Sequence, residues 1–296
     1  MNRTNALKGY LMVIVSAVIY GCMPLMSKYI YADGVNPATL VFLRNLLALP
    51  SLAILGYLQS KTLKAPMKAL PSIGILAAFG CCITPLLLFT SYNYIASGTS
   101  TVLHFVYPAV VVVGGIVFLR EKVRIFNVIS VAVCIAGISL FYDPAESINI
   151  EGCIIALLSG VTFAIYVLML SHFKYRELKG FHFSFYIASV SSMIMLIYCV
   201  VTNQLMLPKT LFGWVMCIFF SLAVTTGAVV LFQQGTFIIG GEKASILGTL
   251  EPITSVIVGI IVFSEPVGIR TLIGSLLVIL ASVLIAVSDM KKSSEN

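Results

Sequence analysis

The chain has 296 residues, 59% of them hydrophobic and only 10% charged, with a mean hydropathy of +1.06. A soluble domain carries roughly 25% charged residues and must turn much of its surface to solvent, so water is excluded as the solvent for most of this chain. The net charge of +7 falls in short clusters between apolar stretches, which excludes a nucleic-acid partner and reads as an orientation signal in a lipid bilayer.

A spanning helix needs about 20 mostly apolar residues, because the hydrocarbon core is about 30 Å thick and each residue rises about 1.5 Å. Gly9–Ser27 supplies helix one. It is too long for the apolar region of a leader peptide and lacks a small-x-small cleavage site, so it is read as retained. Pro37–Tyr57 supplies helix two, with Arg44 inside it. Ala69–Leu119 runs 51 residues without Asp, Glu, Lys or Arg, enough for two crossings, and Ser97-Gly98-Thr99-Ser100 marks the turn expected between them. Ile125–Tyr142 supplies helix five. Gly152–Phe173, Phe181–Val201, Leu211–Thr236, Ala244–Phe263 and Thr271–Ser288 supply helices six to ten.

With the N-terminus in the cytoplasm, 14 of the 18 basic residues fall on the inner side, leaving Lys209 and Arg270 outside and Lys28 and Arg44 in or near the bilayer. The positive-inside rule therefore predicts a multi-pass protein of the cell membrane (plasma or inner) with both termini cytoplasmic. The connection from helix five to six, with Asp143, Glu146 and Glu151 and no basic residue, suits the outer face.

An internal repeat is legible. A shift of 144 places Pro108 on Pro252, Gly115 on Gly259, Ile116 on Ile260 and Glu121 on Glu265, with Val123, Ile125, Ile129 and Ile135 meeting Val267, Ile269, Ile273 and Ile279. The expectation is an all-α membrane protein of ten transmembrane helices arranged as two five-helix repeats, residues 7–142 and 150–288. An odd number of helices per repeat makes the second copy enter from the opposite side, so the repeats are inverted about an axis in the membrane plane. Such an architecture permits alternating access.

Tyr20-Gly21-Cys22-Met23-Pro24-Leu25-Met26-Ser27-Lys28 resembles the first-helix motif of the EamA family of the drug/metabolite transporter superfamily. Phe42-Leu43-Arg44 resembles the second-helix Arg, and Ser97 through Pro108 followed by Phe118-Leu119-Arg120-Glu121 resembles helix four and its end. Leu250-Glu251-Pro252 and Phe263-Ser264-Glu265 resemble the matching elements of helix nine. Tyr stands where Trp is common in helix one, and Arg120 and Ser264 stand where Gly is usual. The resemblance covers nearly the whole chain and implies a ten-helix secondary transporter or exporter with a central cavity. It does not supply a substrate, because the family handles amino acids, nucleotide-type metabolites and drugs.

Ionisable groups at membrane depth cost roughly 2.5–3.5 kcal/mol on insertion scales, so they are functional candidates by default. Glu251 lies eight residues beyond Lys243, about 12 Å into the bilayer, beside the helix-opening Pro252. It can carry a proton or bind a cation, the bland alternative being a packing carboxyl bonded to Ser or Thr. Arg44 either binds an anionic group or pairs with a carboxylate, the alternative being that it snorkels from the seventh residue of its helix. His104 and Tyr107 precede Pro108 in the segment that pairs with Gly248, Glu251 and Pro252, and a core histidine is an equal alternative to a proton-exchanging one. Tyr20 and Tyr166, at nearly equivalent places, and Gln233 and Gln234 complete the substrate-binding candidates. Lys28 is read as an interfacial anchor or ion-pair partner, and Glu121 and Glu265 as loop carboxylates.

The seven cysteines lie inside apolar stretches without CxxC or Cys/His metal spacing and are read as small buried hydrophobes; no cofactor and no metal is expected. No HExxH, GxGD pair, nucleophile motif or P-loop is present, which argues against an intramembrane enzyme and against ATP-driven transport. The rivals that stand are a sodium-coupled organic-anion carrier of another five-plus-five fold and a non-transporting membrane sensor or scaffold. The expected partners are a small-molecule substrate and the lipid bilayer, with proton-linked or facilitative movement; no pattern specifies an oligomeric state.

Overall fold

The computed structural model describes residues 3–61, 67–119, 125–140, 149–171, 178, 180–239, 247–248, 250–263 and 268–295. All regular structure among the described residues is helical. Helix α1 comprises Arg3–Gly21 and Met23–Ala32, α2 comprises Pro37–Leu46 and Leu49–Ser60, and α3 comprises Met67–Ala69, Leu70–Leu76, Ala77–Ile83 and Thr84–Ser91. Helix α4 comprises Ser97–His104 and Tyr107–Leu119; α5 is Ile125–Ser139, α6 is Ile150–Ser171 and α7 is Gly180–Val201. Helix α8 comprises Leu211–Phe220, Ser221–Ala228 and Val229–Ile239; α9 is Leu250–Phe263 and α10 is Ile269–Glu295.

Among the described residues, seven stretches are long and apolar enough to cross a bilayer: Leu7–Ala32, Pro37–Gln59, Met67–Ser91, Ser97–Phe118, Ile150–Leu170, Gly180–Val201 and Leu211–Gly235. Three shorter apolar helices are Val128–Ser139, Leu250–Val262 and Leu272–Ala281. Large apolar side chains such as Ile54, Phe118, Ile197 and Ile261 point outward. In water such a surface would aggregate; in lipid it costs nothing, and helices satisfy their own backbone groups there. The chain is a multi-pass membrane protein.

The helices bend where proline withholds a hydrogen bond. Pro24 cannot donate to the Tyr20 carbonyl, and the chain turns at Cys22, whose N–H is shared between the Val18 and Ile19 carbonyls at 3.1 Å each. Pro108 likewise leaves the His104 carbonyl without a helical donor, and α4 breaks at Phe105–Val106. Two stretches widen into π-helix, Ala77–Ile83 in α3 and Ser221–Ala228 in α8. Pro85 explains the first: it gives no N–H to the Cys81 carbonyl, which instead accepts from Asn45 Nδ2 at 3.4 Å.

Packing partners are specific. Helix α1 lies against α8 and α9, α6 against α3 and α4, α2 against α7, α4 against α9, and α5 against α10. Glycines set the closest approaches: a Cβ on Gly21 would stand 2.7 Å from the Glu251 carbonyl oxygen, and one on Gly160 would stand 2.5 Å from that of His104. Small interfacial residues let helix backbones meet in this way.

One face is stitched across the molecule. Asp33 Oδ2 accepts from the N–H groups of Lys209 (2.8 Å) and Thr210 (3.1 Å), Asn36 Nδ2 and Thr39 Oγ1 both donate to the Gln204 carbonyl at 2.8 Å, and Met206 N–H donates to Thr39 Oγ1 at 2.9 Å. The Thr210 hydroxyl bond, with these backbone bonds and Lys209, holds the Asp33 carboxyl below the usual aspartate range.

Two expectations need correcting. The turn before α4 falls at 92–96, and Ser97-Gly98-Thr99-Ser100 is its first helical turn. These small residues are there for packing: Gly98 rests on Val256, and Thr101 Oγ1 accepts from Ser255 Oγ at 3.0 Å. Arg44 does not snorkel; it is 5% exposed. The expected loop carboxylates Glu121 and Glu265, the acidic pair Asp143 and Glu146, and the basic residues Lys64, Arg120, Lys122, Arg124, Lys174, Arg176, Lys179 and Lys243 lie outside the described residues, as does the start of helix nine from Ala244.

Candidate functional site

Seven helices deliver side chains to one region. Tyr20 of α1 lies within electrostatic reach of Arg44 of α2, Cys81 of α3, Tyr166 of α6 and Glu251 of α9. Tyr107 of α4 shares the Glu251 neighbourhood. Tyr166 hydrogen-bonds the side chain of Gln233 of α8. Thus Tyr20, Arg44, Tyr107, Tyr166, Gln233 and Glu251, expected from sequence, are brought together. Gln234 is half-buried and points about 100° around α8 from Gln233.

The position of each follows from local structure. Pro24 bends α1 one turn after Tyr20, and the close approach at Gly21 sets Tyr20 beside Glu251. Tyr20 and Glu251 are only half-buried although both sit deep in the fold, whereas Arg44, Tyr107, Tyr166 and Gln233 are buried. Arg44 Nε is a buried donor without a hydrogen-bond partner, and its guanidinium stands 5.8 Å over the Phe89 ring. Its own carbonyl accepts from Ser221 Oγ at 2.7 Å, which ties α2 to the π segment of α8.

His104 faces α6. Ser159 Oγ donates to the Ala156 carbonyl at 2.6 Å and shares a hydrogen bond with His104 Nδ1 at 2.9 Å. An aromatic chain then runs from His104 to Phe163 (5.3 Å), from Tyr107 to Phe163 (4.8 Å, edge-on) and from Phe163 to Tyr166 (5.6 Å). His104 thus packs at the border of the cluster through Tyr107 and Phe163.

Several contributors escaped the sequence reading. Gly80 of the π segment carries the Tyr166 ring on its backbone; a Cβ there would clash with the ring. Ser184 of α7 donates to Gln233 Oε1 at 3.0 Å. Asn45, Ser159 and Phe163 support their neighbours as described. Pro85 was the one local signal for the widened segment. Buried His182, with Nε2 unpartnered and its ring 5.6 Å from Tyr186, stands in the first turn of α7.

A bilayer-spanning helical fold around a buried cluster of one cation, one carboxyl and several hydroxyls defines a membrane protein with a polar interior. The EamA-like transporter family model matches residues 7–142 and again 150–287, and the chain belongs to that family. It is a membrane transporter. An uncharacterized transporter of Clostridium kluyveri is 20% identical, with 97% of this chain and 96% of that one covered. The uncharacterized transporter YcbK of Bacillus subtilis is 21% identical over 91% and 90% of the two chains. The uncharacterized inner membrane transporter YicL of Salmonella typhimurium is 22% identical over 97% of each. A crystallised protein 13% identical in sequence shares the fold, with a TM-score of 0.64 over 96% of this chain and 98% of that one.

Proposed function

We propose that this transporter moves a small organic metabolite, such as an amino acid, by alternating access between two inverted five-helix repeats, 7–142 and 150–288. Both termini lie in the cytoplasm, the membrane is the cell membrane, and net movement is outward. Exchanging each helix for the one five later carries the closest of these packing contacts onto one another, although the α4–α10 contact is not matched by an equally close α5–α9 contact among the described residues. The α1–α8 contact becomes α6–α3, α1–α9 becomes α6–α4, and α2–α7, α4–α9 and α5–α10 map onto themselves. This exchange symmetry is the observation that carries the reading.

Details agree with it. The two π segments start at Ala77 and Ser221, separated by the same 144 positions as Pro108 and Pro252. Thr84 Oγ1 of α3 meets Thr162 Oγ1 of α6 at 2.8 Å, and its counterpart Ala228 of α8 accepts from Ser16 Oγ of α1 at 2.7 Å. Two similar halves that pack in opposite senses can exchange conformations, which opens a shared site first to one side and then to the other. The polar cluster draws its members from both halves, so that exchange changes its exposure.

Glu251 is the coupling group: it loses its proton or engages a cationic part of the substrate on one side and reverses this on the other. In proteoliposomes screened with labelled amino acids, nucleosides and organic acids, wild-type flux is expected to follow an imposed pH gradient. In Glu251→Gln it is expected to become indifferent to pH. Retention of the wild-type pH response by Glu251→Gln sinks proton coupling, and the absence of flux or counterflow for the whole panel sinks the carrier assignment.

A further inference from the structure

We infer that Arg44, Tyr166 and Tyr20 form an oxyanion subsite laid against the π segment of α3, where the substrate's carboxylate docks while Glu251 faces its other end. The inference rests on the carrier reading above and assigns the substrate's polarity within the site.

Arg44 is 5% exposed and its Nε–H has no hydrogen-bond partner, while its surroundings are the Phe89 ring, Tyr20, Cys81 and Cys82. A guanidinium hidden from water with an idle donor is costly, and the groups that best match its planar fork are carboxylate and phosphate oxygens. Its buried neighbour Asn45 does not supply the acceptor, because Asn45 Nδ2 is turned to the Val41 carbonyl (2.8 Å) and the Cys81 carbonyl (3.4 Å).

A second donor is oriented toward the same region. Ser184 Oγ donates to Gln233 Oε1 at 3.0 Å, which fixes the amide with its NH2 group turned away from Ser184. Gln233 therefore approaches the Tyr166 hydroxyl as a donor to its oxygen, and the Tyr166 hydrogen is left to donate elsewhere. Tyr166 is held by the missing Cβ of Gly80, and Cys81, the next residue, is the shared neighbour of Arg44, Tyr20 and Tyr166. Arg44 and Tyr166 are thus both buried neighbours of the widened turn, and half-buried Tyr20 neighbours both of them and Glu251. π-Helical turns recur at functional sites, and here the turn supplies the close backbone surface. Ser184 and Gln233 are positioning residues for the Tyr166 hydroxyl.

The test is thermal unfolding of the purified full-length protein titrated with the twenty common α-amino acids and with their carboxamides. Acids that stabilise the protein are expected to do so at concentrations about tenfold or more below those of the matching amides. Arg44→Gln should bring that ratio to about one, and Arg44→Lys, which keeps the charge and loses the fork, is the folding control and should lower it severalfold. Ser184→Ala should lower it about fivefold beside a measurable drop in the unliganded melting temperature from the missing buried hydrogen bond, a selectivity change that a merely structural serine does not produce. Glu251→Gln should leave the ratio intact, so loss of pH response with an unchanged ratio separates the coupling role from the subsite. Equal stabilisation by acids and amides, a ratio that survives in both Arg44 variants, or stabilisation by no acid at all overturns the subsite.

Discussion

The π segments of α3 and α8 occupy matching places in the two halves and differ in chemistry. In α3, Gly80 and Cys81 sit against Tyr166, Tyr20 and Arg44, and Pro85 opens the turn. In α8 the matching positions are Val224 and Thr225, with no proline at the position of Pro85. Both first residues are anchored to the neighbouring helix, Ser221 Oγ to the Arg44 carbonyl at 2.7 Å and Ser191 Oγ to the Ala77 carbonyl at 3.5 Å. Backbone shape is thus held in both halves while only one wide turn serves the polar cluster. On the repeat proposed above, helix geometry is held in common while side chains are free to diverge, so two similar halves can carry an asymmetric site.

Swapping residues between the segments gives the largest expected effect. Gly80→Val drives a branched side chain into the Tyr166 ring and should cost about 3 kcal/mol and abolish transport. A change at the matching position, Val224→Ala, truncates a fully buried side chain and should cost about 2 kcal/mol with transport retained. Melting curves and proteoliposome flux read both, and equal loss of transport would remove the functional distinction between the turns. Next come the anchors: Ser221→Ala should cost about 1 kcal/mol, while Ser191→Ala, whose bond is at the limit of hydrogen-bonding distance, should cost about 0.3 kcal/mol. A reversed order in melting temperature would mean that the α3 turn is the more tightly held.

The smallest effect is at the stitched face. Asp33 has its pKa lowered in the fold by the Thr210 hydroxyl bond first of all, so its contribution is fully present above the unfolded value of about 3.9 and is lost as pH falls through the lower folded value. From pH 5 to 8 Asp33 should add no slope to the melting temperature. Acidification below about pH 4 should weaken the link between the α1–α2 and α7–α8 connections, and Asp33→Asn should remove that acid-side change. A slope from Asp33 near neutral pH would contradict the assignment.

Much of the framework was legible, for identifiable reasons. Apolar runs the length of a bilayer announce spans such as Pro37–Gln59 and Gly180–Val201 directly. The bends near Tyr20 and His104 were not read from the sequence, although Pro24 and Pro108 mark them, because a missing N–H acts locally. The turn before α4 was misplaced by a few residues, since small polar residues suit both turns and close helix packing, and Gly98 serves the second role against Val256. Snorkelling of Arg44 was a fair expectation from its distance to the helix end. It failed because the rotation of α2 aims the side chain inward, over Phe89.

Sequence alone therefore determined the solvent, the apolar spans and the 144-residue register, since hydropathy, length and repetition are properties of the chain read in order. Only the tertiary structure decided that Arg44, Tyr20, Tyr166, Gln233 and Glu251 meet, that Ser184 orients the amide of Gln233, and that Gly80 seats a tyrosine ring. Those facts depend on how each helix is rotated about its axis and how closely backbones approach at single glycines. Neither is fixed by periodicity, because a helix hydrophobic on nearly every side carries little signal of which face turns inward.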